Sequence, residues 1–577
     1  MSRYVKGASP RTVAAIDTEL EEIEVAIGDT LSRKGDTPNQ MEADLDMNDN
    51  ALINARRVFT ENLTYKGQDF EAFLESITPV GVPTFSNIIT PAMFDIVGNG
   101  SDETVKIQQM FDAASGKTIY LDDNATYGIT LLTIPDDVSL VSYNSQFRKL
   151  VANTDYGIYV GNRFKADRLR ISSGGGSSDK GIRITGNLVK IGYLSASSDA
   201  FDSEWGIHFE STDGSVLGGI EIDKMTTTRY RTGSLIFNVA ESQFNKSTTQ
   251  DYIVGMYCRD VADVQVNGHI ARFTSPSSPG TAGNNGLLIE STLSNYSTNN
   301  CVFNDIHVED AGEHGIRLGG NVASSNLTFN NIKVLNSGAA GAGATGGAGF
   351  KALMKDETLT FHKNIIVNNL IVEDCSTTGS GLGNFAGVII GLCDGVSLNN
   401  IIVRNKNNAF SCWDGLSLYE CKNVNVTNFT ALNCRRHGLR LEGGSGAFVS
   451  EEMTDINITS STFQNESTVA SSVIECDTLN TLFTRVNIQA DVRYGSQAAN
   501  YDTGTLPTPF VGCNLDITYS DPLSTAGNPP VTNNNIIRLN YRGPWYGAFN
   551  MNGSDSSLVQ EDLGNVRIRK AGAWVTL

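Results

Sequence analysis

The densest run of titratable residues in this chain is Val308-Glu309-Asp310-Ala311-Gly312-Glu313-His314-Gly315. Carboxyls packed this closely push one another's pKa values apart, one way to hold a proton donor and a proton acceptor at neutral pH. Aligned on the apolar pattern around them, one slot reads Glu309, Leu335, Glu373, Arg404, and the next reads Asp310, Asn336, Asp374, Asn405. Taken as rungs of a β-ladder about 4.8 Å apart, these slots place Glu309 and Glu373 about 9–10 Å from each other. That is near the upper limit for the two carboxyls of an inverting glycosidase. The expected catalytic set is therefore Glu309 and Glu373 with Asp310 and Glu313 nearby. The competing chemistry is β-elimination beside a sugar carboxylate, with Tyr257, His307 or Lys351 as base and an arginine steadying the enolate-like intermediate. The plain reading stands beside both: acids at turns are commonly just solvated, and Asp/Asn stacks satisfy corner backbone groups.

A second pattern has the chemistry of binding. The outward middle positions of a recurring phrase are Tyr159, Arg183, His208, Tyr257, Arg317 and Arg440. A strip of cations and aromatics suits an anionic polysaccharide, because arginine clamps carboxylates bidentately and flat rings stack on sugars. Trp205, Trp413, Arg229, His307 and His314 join it as candidate substrate contacts. No Ser-His-Asp order, phosphate loop, dinucleotide glycine motif or zinc spacing is present, so neither metal nor cofactor is expected.

The phrase itself is glycine, apolar, any, apolar. It recurs as Gly157–Val160, Gly181–Ile184, Gly206–Phe209, Gly255–Cys258, Gly286–Ile289, Gly315–Leu318, Gly387–Ile390, Gly415–Leu418 and Gly438–Leu441. Degenerate copies lie at Ser234–Phe237 and Gly349–Ala352, and successive copies are mostly 23 to 38 residues apart. A short strand in fixed phase once per such interval marks a solenoid, whose coils bury their apolar faces only by stacking. A further strand precedes each copy, as in Asn326-Leu-Thr-Phe329 or Asn364-Ile-Ile-Val367, and a third follows that one, as in Ile332-Lys-Val334. Three alternating strands per coil predict an all-β parallel β-helix. Turn insertions at Thr274–Asn285 and Ala339–Ala348 would project from it.

Composition agrees: 57 Gly, 14 Pro and 18% charged residues in 577 describe a β protein of many tight corners. The net charge of −20 argues against nucleic acid, and no long apolar run argues for a membrane or for export. Nine cysteines include no metal-type pair and are expected to be reduced packing residues; Cys375 and Cys434 share a slot but lie two coils apart, about 9.6 Å. Residues 9–31 read as a helix opening at Ser9-Pro10, with Val13, Ile16, Leu20, Ile23 and Ile27 as a heptad seam, for self-association or for packing on its own chain. After about Asp491 the repeat fades into aromatic, Pro/Gly-punctuated sequence.

At Asp95-Ile-Val-Gly-Asn-Gly-Ser-Asp102, a short helix and Gly116-Lys-Thr-Ile-Tyr-Leu121, the chain resembles the opening of pectate-lyase-like right-handed parallel β-helices. The helix, with Ser101 or Asp102 as its cap, would shield the first coil's open edge. With Gly312-Glu-His-Gly-Ile-Arg317, the whole layout resembles the capsule depolymerase tailspikes of podoviruses infecting Klebsiella. That resemblance implies a homotrimer on the virion tail, made in the host cytoplasm, that binds and cleaves capsular polysaccharide. A short N-terminus would attach it to another tail or receptor-binding protein. It implies segments at 1–60 (virion attachment), 61–96 (neck), 97–493 (β-helix) and 494–577 (C-terminal β domain for trimerisation or carbohydrate binding). Such spikes include hydrolases and lyases; hydrolysis is expected here, with lyase action or non-catalytic capsule adhesion as alternatives. Neither a nucleic-acid nor a membrane partner is expected.

Overall fold

A computed structural model describes residues 87–519, apart from 152, 177, 202, 274–283, 294–295, 339–346, 355–359, 376–385, 407–411, 443–451, 466–471, 478–481, 494–496 and 502–509. Outside that range it describes only the backbone of strands at Thr64–Tyr65, Gln68–Asp69, Ile536–Tyr541, Ser557–Asp562, Asn565–Lys570 and Ala573–Thr576. The helix expected at 9–31 and most of the two turn insertions lie outside the described residues.

The glycine phrase forms one parallel sheet of 14 strands, from Leu132–Ile134 through Phe350–Leu353 to Gln497–Tyr501. Both degenerate copies take their places in it. The other strands of each coil stack in a second parallel array, which makes the fold a parallel β-helix. The three strands expected per coil stay separate in some coils, as at Val302–Asn304 and His307–Glu309. In several coils the second and third run on as one long strand, such as Ser325–Leu335, His362–Glu373 and Cys393–Arg404, with a left-handed residue near its start and another at the corner between the two arms. Those corner residues are Asn331, Asn369, Asn400 and Asn428, each at φ 57°. Asparagine tolerates that backbone region better than most residues, and its amide can bond along the stack. The Asn369 amide donates to Asn331 at 3.1 Å, and Asn428 donates to Asn400 at 2.8 Å.

The phrase needs glycine for space. A Cβ at Gly286 would lie 2.3 Å from a Val308 methyl, and one at Gly315 would lie 2.3 Å from a Val334 methyl. Each glycine thus receives the inward residue of the long strand in its own coil. Phe303, Phe329 and Phe350 continue the packed interior, with ring centroids 5.1 Å apart along the series.

The first coils are capped by a helix, Thr104–Asp112, that buries Ile107, Met110 and Phe111. Glu103 occupies its N-cap position, where Ser101 or Asp102 was expected. The Glu103 carboxylate accepts the Val97 and Gly98 N–H groups at 2.6 and 2.9 Å, while Asp102 accepts the Thr104 N–H at 3.0 Å. At the other end parallel pairing carries on past the expected fade. Asn514–Tyr519, Ile536–Tyr541 and Ser557–Asp562 stack in turn, and the last pairs antiparallel with Asn565–Lys570.

The cysteine expectation needs correction. Cys375 and Cys412 form a disulfide with Cα atoms 5.2 Å apart; the other seven are buried and free. Counting slots along one column missed Cys412, which reaches Cys375 from the far side of the next turn. Asn405 draws it there, accepting the Cys412 N–H at 2.9 Å.

Candidate functional site

The outer face of the 14-strand sheet presents one column of side chains in unbroken register. It runs Tyr159, Arg183, His208, Leu235, Tyr257, Leu288, Arg317, Lys351, Ile389, Ser417, Arg440 and Glu475. Neighbours along the coil axis are about 4.8 Å apart.

At the middle of this column Arg317 and Lys351 occupy adjacent rungs. Among the described residues neither side chain makes a hydrogen bond or ion pair. Burial, and then the Arg317 charge, pull the Lys351 ammonium down from 10.5 to about 8, against a smaller upward pull from Glu313. Desolvation and a like charge act in the same direction on an amine. One rung earlier, in the next outward column, Glu290 accepts a hydrogen bond from the Tyr257 hydroxyl at 2.5 Å. Burial and the Glu290 charge push that phenol well above its usual range. Gly319 leaves a hollow between these groups: a Cβ there would lie 3.6 Å from Arg317 Nε and 4.0 Å from Glu290 Oε1. The hollow thus lies between a guanidinium and a carboxylate, and the rung after Arg317 carries an amine that is partly neutral near pH 8.

The residues expected to be catalytic sit on a different array. Glu309 and Glu373 do occupy one column, two rungs apart, with Leu335 between. Both are already paired. Arg272 Nε is 2.8 Å from Glu309, and His307 is 3.2 Å from it. Glu373 is gripped by Arg404 and by Lys406 at 2.5 Å. Burial alone would raise the Glu373 carboxyl, but Lys406 and Arg404 hold it below the usual range. Asp310 stands at a left-handed corner, φ 58°, and accepts the Asn336 amide at 3.1 Å. Burial lowers the His307 pKa.

The remaining candidates distribute as follows. Glu313 and His314 are buried beside each other, 3.5 Å apart, and His314 Nδ1 accepts the Ala348 N–H. Burial, with Lys351 and Arg317 nearby, keeps that ring neutral. Tyr257, Arg317 and Arg440 share the sheet column; Arg440 pairs with Glu442 at 2.9 Å. Trp205 stacks on His208, and Trp413 lies under Arg435 and Arg436 at 5.2 and 5.5 Å. Arg229 is at an exposed left-handed corner and donates to the Asp199 carbonyl at 3.3 Å. The structure therefore splits the expected set: Glu309, Glu373 and His307 line one array, and Tyr257, Arg317 and Arg440 line the other.

Sequence reasoning missed Glu290, which lies immediately after the phrase on a column that had not been aligned. It placed Lys351 beside Tyr257 and His307 as a base for elimination, the alternative to hydrolysis. Among the described residues no three His, Cys, Asp or Glu side chains converge to hold a metal ion.

No protein-family model matches the chain, and no curated protein does. Similar solved structures include tailspike protein 3 of bacteriophage CBA120, at TM-score 0.41 and 10% identity over 89% of this chain and 71% of that one. A tailspike mutant of E. coli bacteriophage HK620 in complex with pentasaccharide has TM-score 0.41 and 10% identity over 86% and 89%. The mannuronan C-5 epimerase A-module of Azotobacter vinelandii has TM-score 0.34 and 14% identity over 77% and 100%. At these scores the likenesses have no bearing on the chemistry of this chain.

Proposed function

We propose that the chain binds an acidic polysaccharide along the outer face of its 14-strand sheet and cleaves it by β-elimination at Arg317 and Lys351. The observation that carries this reading is a pair of half-buried cations on adjacent rungs with no counter-ion of their own. A uronate carboxylate fits between them. Arg317 would neutralise it, acidifying the carbon-bound proton beside it. The neutral fraction of Lys351 would take that proton from C5. The electron pair then forms the C4–C5 double bond as the C4–O glycosidic bond breaks, and the lysine ammonium returns its proton to the leaving oxygen. In the setting implied by the sequence resemblance, the substrate is a bacterial capsule and the protein is a trimeric phage spike.

The full chain, incubated with uronate-containing capsular polysaccharides, should shorten them and generate the ultraviolet absorbance of a conjugated unsaturated uronate. Shortening with new reducing ends and no such absorbance would refute elimination; unchanged polymer size would leave only adhesion.

Hydrolysis by Glu309 and Glu373, with Asp310 and Glu313 nearby, is the second reading, favoured by their shared column. It requires one of two cation-paired carboxylates to act as an acid. It predicts that a Glu309→Gln, Glu373→Gln variant loses at least ~10³-fold in turnover; a variant that still cleaves the polymer ends it.

A further inference from the structure

Five rungs before Lys351, about 24 Å along the column, the same sheet face has a cluster of opposite character. Trp205 lies half-buried with its indole stacked on the His208 ring, centroids 5.4 Å apart and 20° from parallel. The Tyr156 hydroxyl bonds His208 Nδ1, and the Glu210 carboxylate stands 3.2 Å from Nε2 without a hydrogen bond to it. Tyr159 meets Tyr156 edge-on at 5.6 Å, two rungs before His208.

Every charge here is answered within the cluster. Arg183 pairs with Glu210 at 2.8 Å, and Lys180 with Glu204 at 3.3 Å. Burial, with Arg183 and Lys180 close by, drives His208 down to about 3, so its ring is neutral at any working pH. Two cations, two anions and a neutral ring sum to zero. This contrasts with Arg317 and Lys351, which make no ion pair among the described residues.

We infer that Trp205 and Tyr159, rimmed by Lys180, Glu204, Arg183 and Glu210, form a second saccharide subsite that takes an uncharged sugar unit of the same polymer. The inference rests on the polysaccharide reading above. An aromatic face offers stacking without charge selection, and paired acid and guanidinium groups offer acceptors and donors to hydroxyls while repelling neither. A carboxylated unit would find Glu204 and Glu210 facing it with no free cation. The two sites lie on one continuous face, so one chain long enough to cross five rungs can occupy both. Such a chain gains affinity by an effectively intramolecular second contact.

The test is the dependence of KM on substrate length, using the full chain and size-fractionated fragments of a polysaccharide that it cleaves. The wild type should show a drop in KM of about tenfold once fragments can reach from Lys351 to Trp205. Trp205→Ala should flatten that step, Trp205→Phe should restore part of it, and Tyr159→Ala should lower it independently. Melting curves matching the wild type's show that the variants are folded. A length step that survives both alanine variants overturns the subsite and leaves the cleavage reading standing. Equal loss on the shortest fragments also overturns it, because Trp205 would then belong to the cleavage centre. A wild type that neither cleaves nor retains any acidic polysaccharide overturns both.

Discussion

If Lys351 is the base, its pKa is the point at which the mechanism can be pushed from two sides. Near 10.5, an ordinary lysine at pH 7 would be neutral in roughly one molecule in 3,000; at about 8 the fraction is about one in ten. Burial and Arg317 thus supply a gain of about 300-fold in competent base. The part due to Arg317 follows from Coulomb's law. With the two charges about 6 Å apart in an effective dielectric of about 40, their repulsion is about 1.4 kcal/mol, or one pKa unit. Arg317→Gln should therefore move the rising limb of the pH–rate profile upward by about one unit, from a midpoint near 8. It should raise KM for the acidic polymer as well. Glu313→Gln should do the reverse. Glu313 pulls the ammonium up, so its loss should lower the midpoint by about half a unit and speed the reaction at pH 7. The assay is initial-rate cleavage from pH 6 to 9.5 in each variant, with Lys351→Met as the baseline, expected to lose 10²–10⁴-fold. An unmoved midpoint in Arg317→Gln would refute the reasoning. So would abolished turnover in Glu313→Gln, since that outcome is what hydrolysis through Glu313 demands.

Three further expectations concern stability. His208, His269 and His362 are buried with pKa values pulled down to about 3, 4 and 4, chiefly by burial, and His314 is pulled down well below its usual value. The unfolded chain takes up these protons near pH 6.5 and the folded chain does not, so their contribution is nearly complete by pH 8 and is lost as pH falls. Four such groups give a slope approaching 5 kcal/mol per pH unit near pH 5; denaturant titrations at pH 7 and 5 check it, and equal midpoints would sink it. Gly315→Ala drives a Cβ to 2.3 Å from Val334 and 2.7 Å from the Gly349 carbonyl, which should cost 1–3 kcal/mol, about. Val334→Ala in the same chain should recover part of that loss; a Gly315→Ala protein as stable as wild type would contradict the packing account. Reducing Cys375–Cys412 opens a closure of 37 residues, for which the chain-entropy estimate is about 4 kcal/mol. The melting temperature should fall under reductant and in Cys375→Ser, and an unchanged melt in both would discount the bridge.

What could be read from the sequence was whatever repeats with the coil. The glycine phrase yielded the sheet, its register and the outward column from Tyr159 to Arg440, because each inward apolar pair must face the same core. It also yielded the spacing of Glu309 and Glu373. The slot alignment even contained the objection to that pair, since it set Arg404 on the rung after Glu373, where a cation must neutralise it. What escaped was whatever depends on a second column or on an imperfect repeat. Tyr257 and Glu290 are 33 residues apart, and Arg183 and Glu210 are 27 apart; each pair meets only when two outward columns are laid side by side. Lys351 was named as a base for elimination but not placed on the outward column, because its copy, Gly349-Phe-Lys-Ala352, ends in a small residue and follows an insertion. Cys412 reaches Cys375 through a turn, where no periodicity operates.

These misses share a cause with the functional reading. A solenoid face repeats its geometry at every rung, so position alone cannot single out one place on it. What differs from rung to rung is whether each charge finds its counter-charge. Arg183 has Glu210, Arg440 has Glu442, and Glu373 has Arg404 and Lys406. Arg317 and Lys351 are on neighbouring rungs and have neither. Holding two like charges together in a half-buried hollow is unfavourable for the free protein, and a bound carboxylate removes that penalty. The lowered lysine pKa and the affinity for an acidic sugar are then two consequences of one arrangement. A substitution that relieves the repulsion should therefore weaken base and binding together, as Arg317→Gln is expected to do.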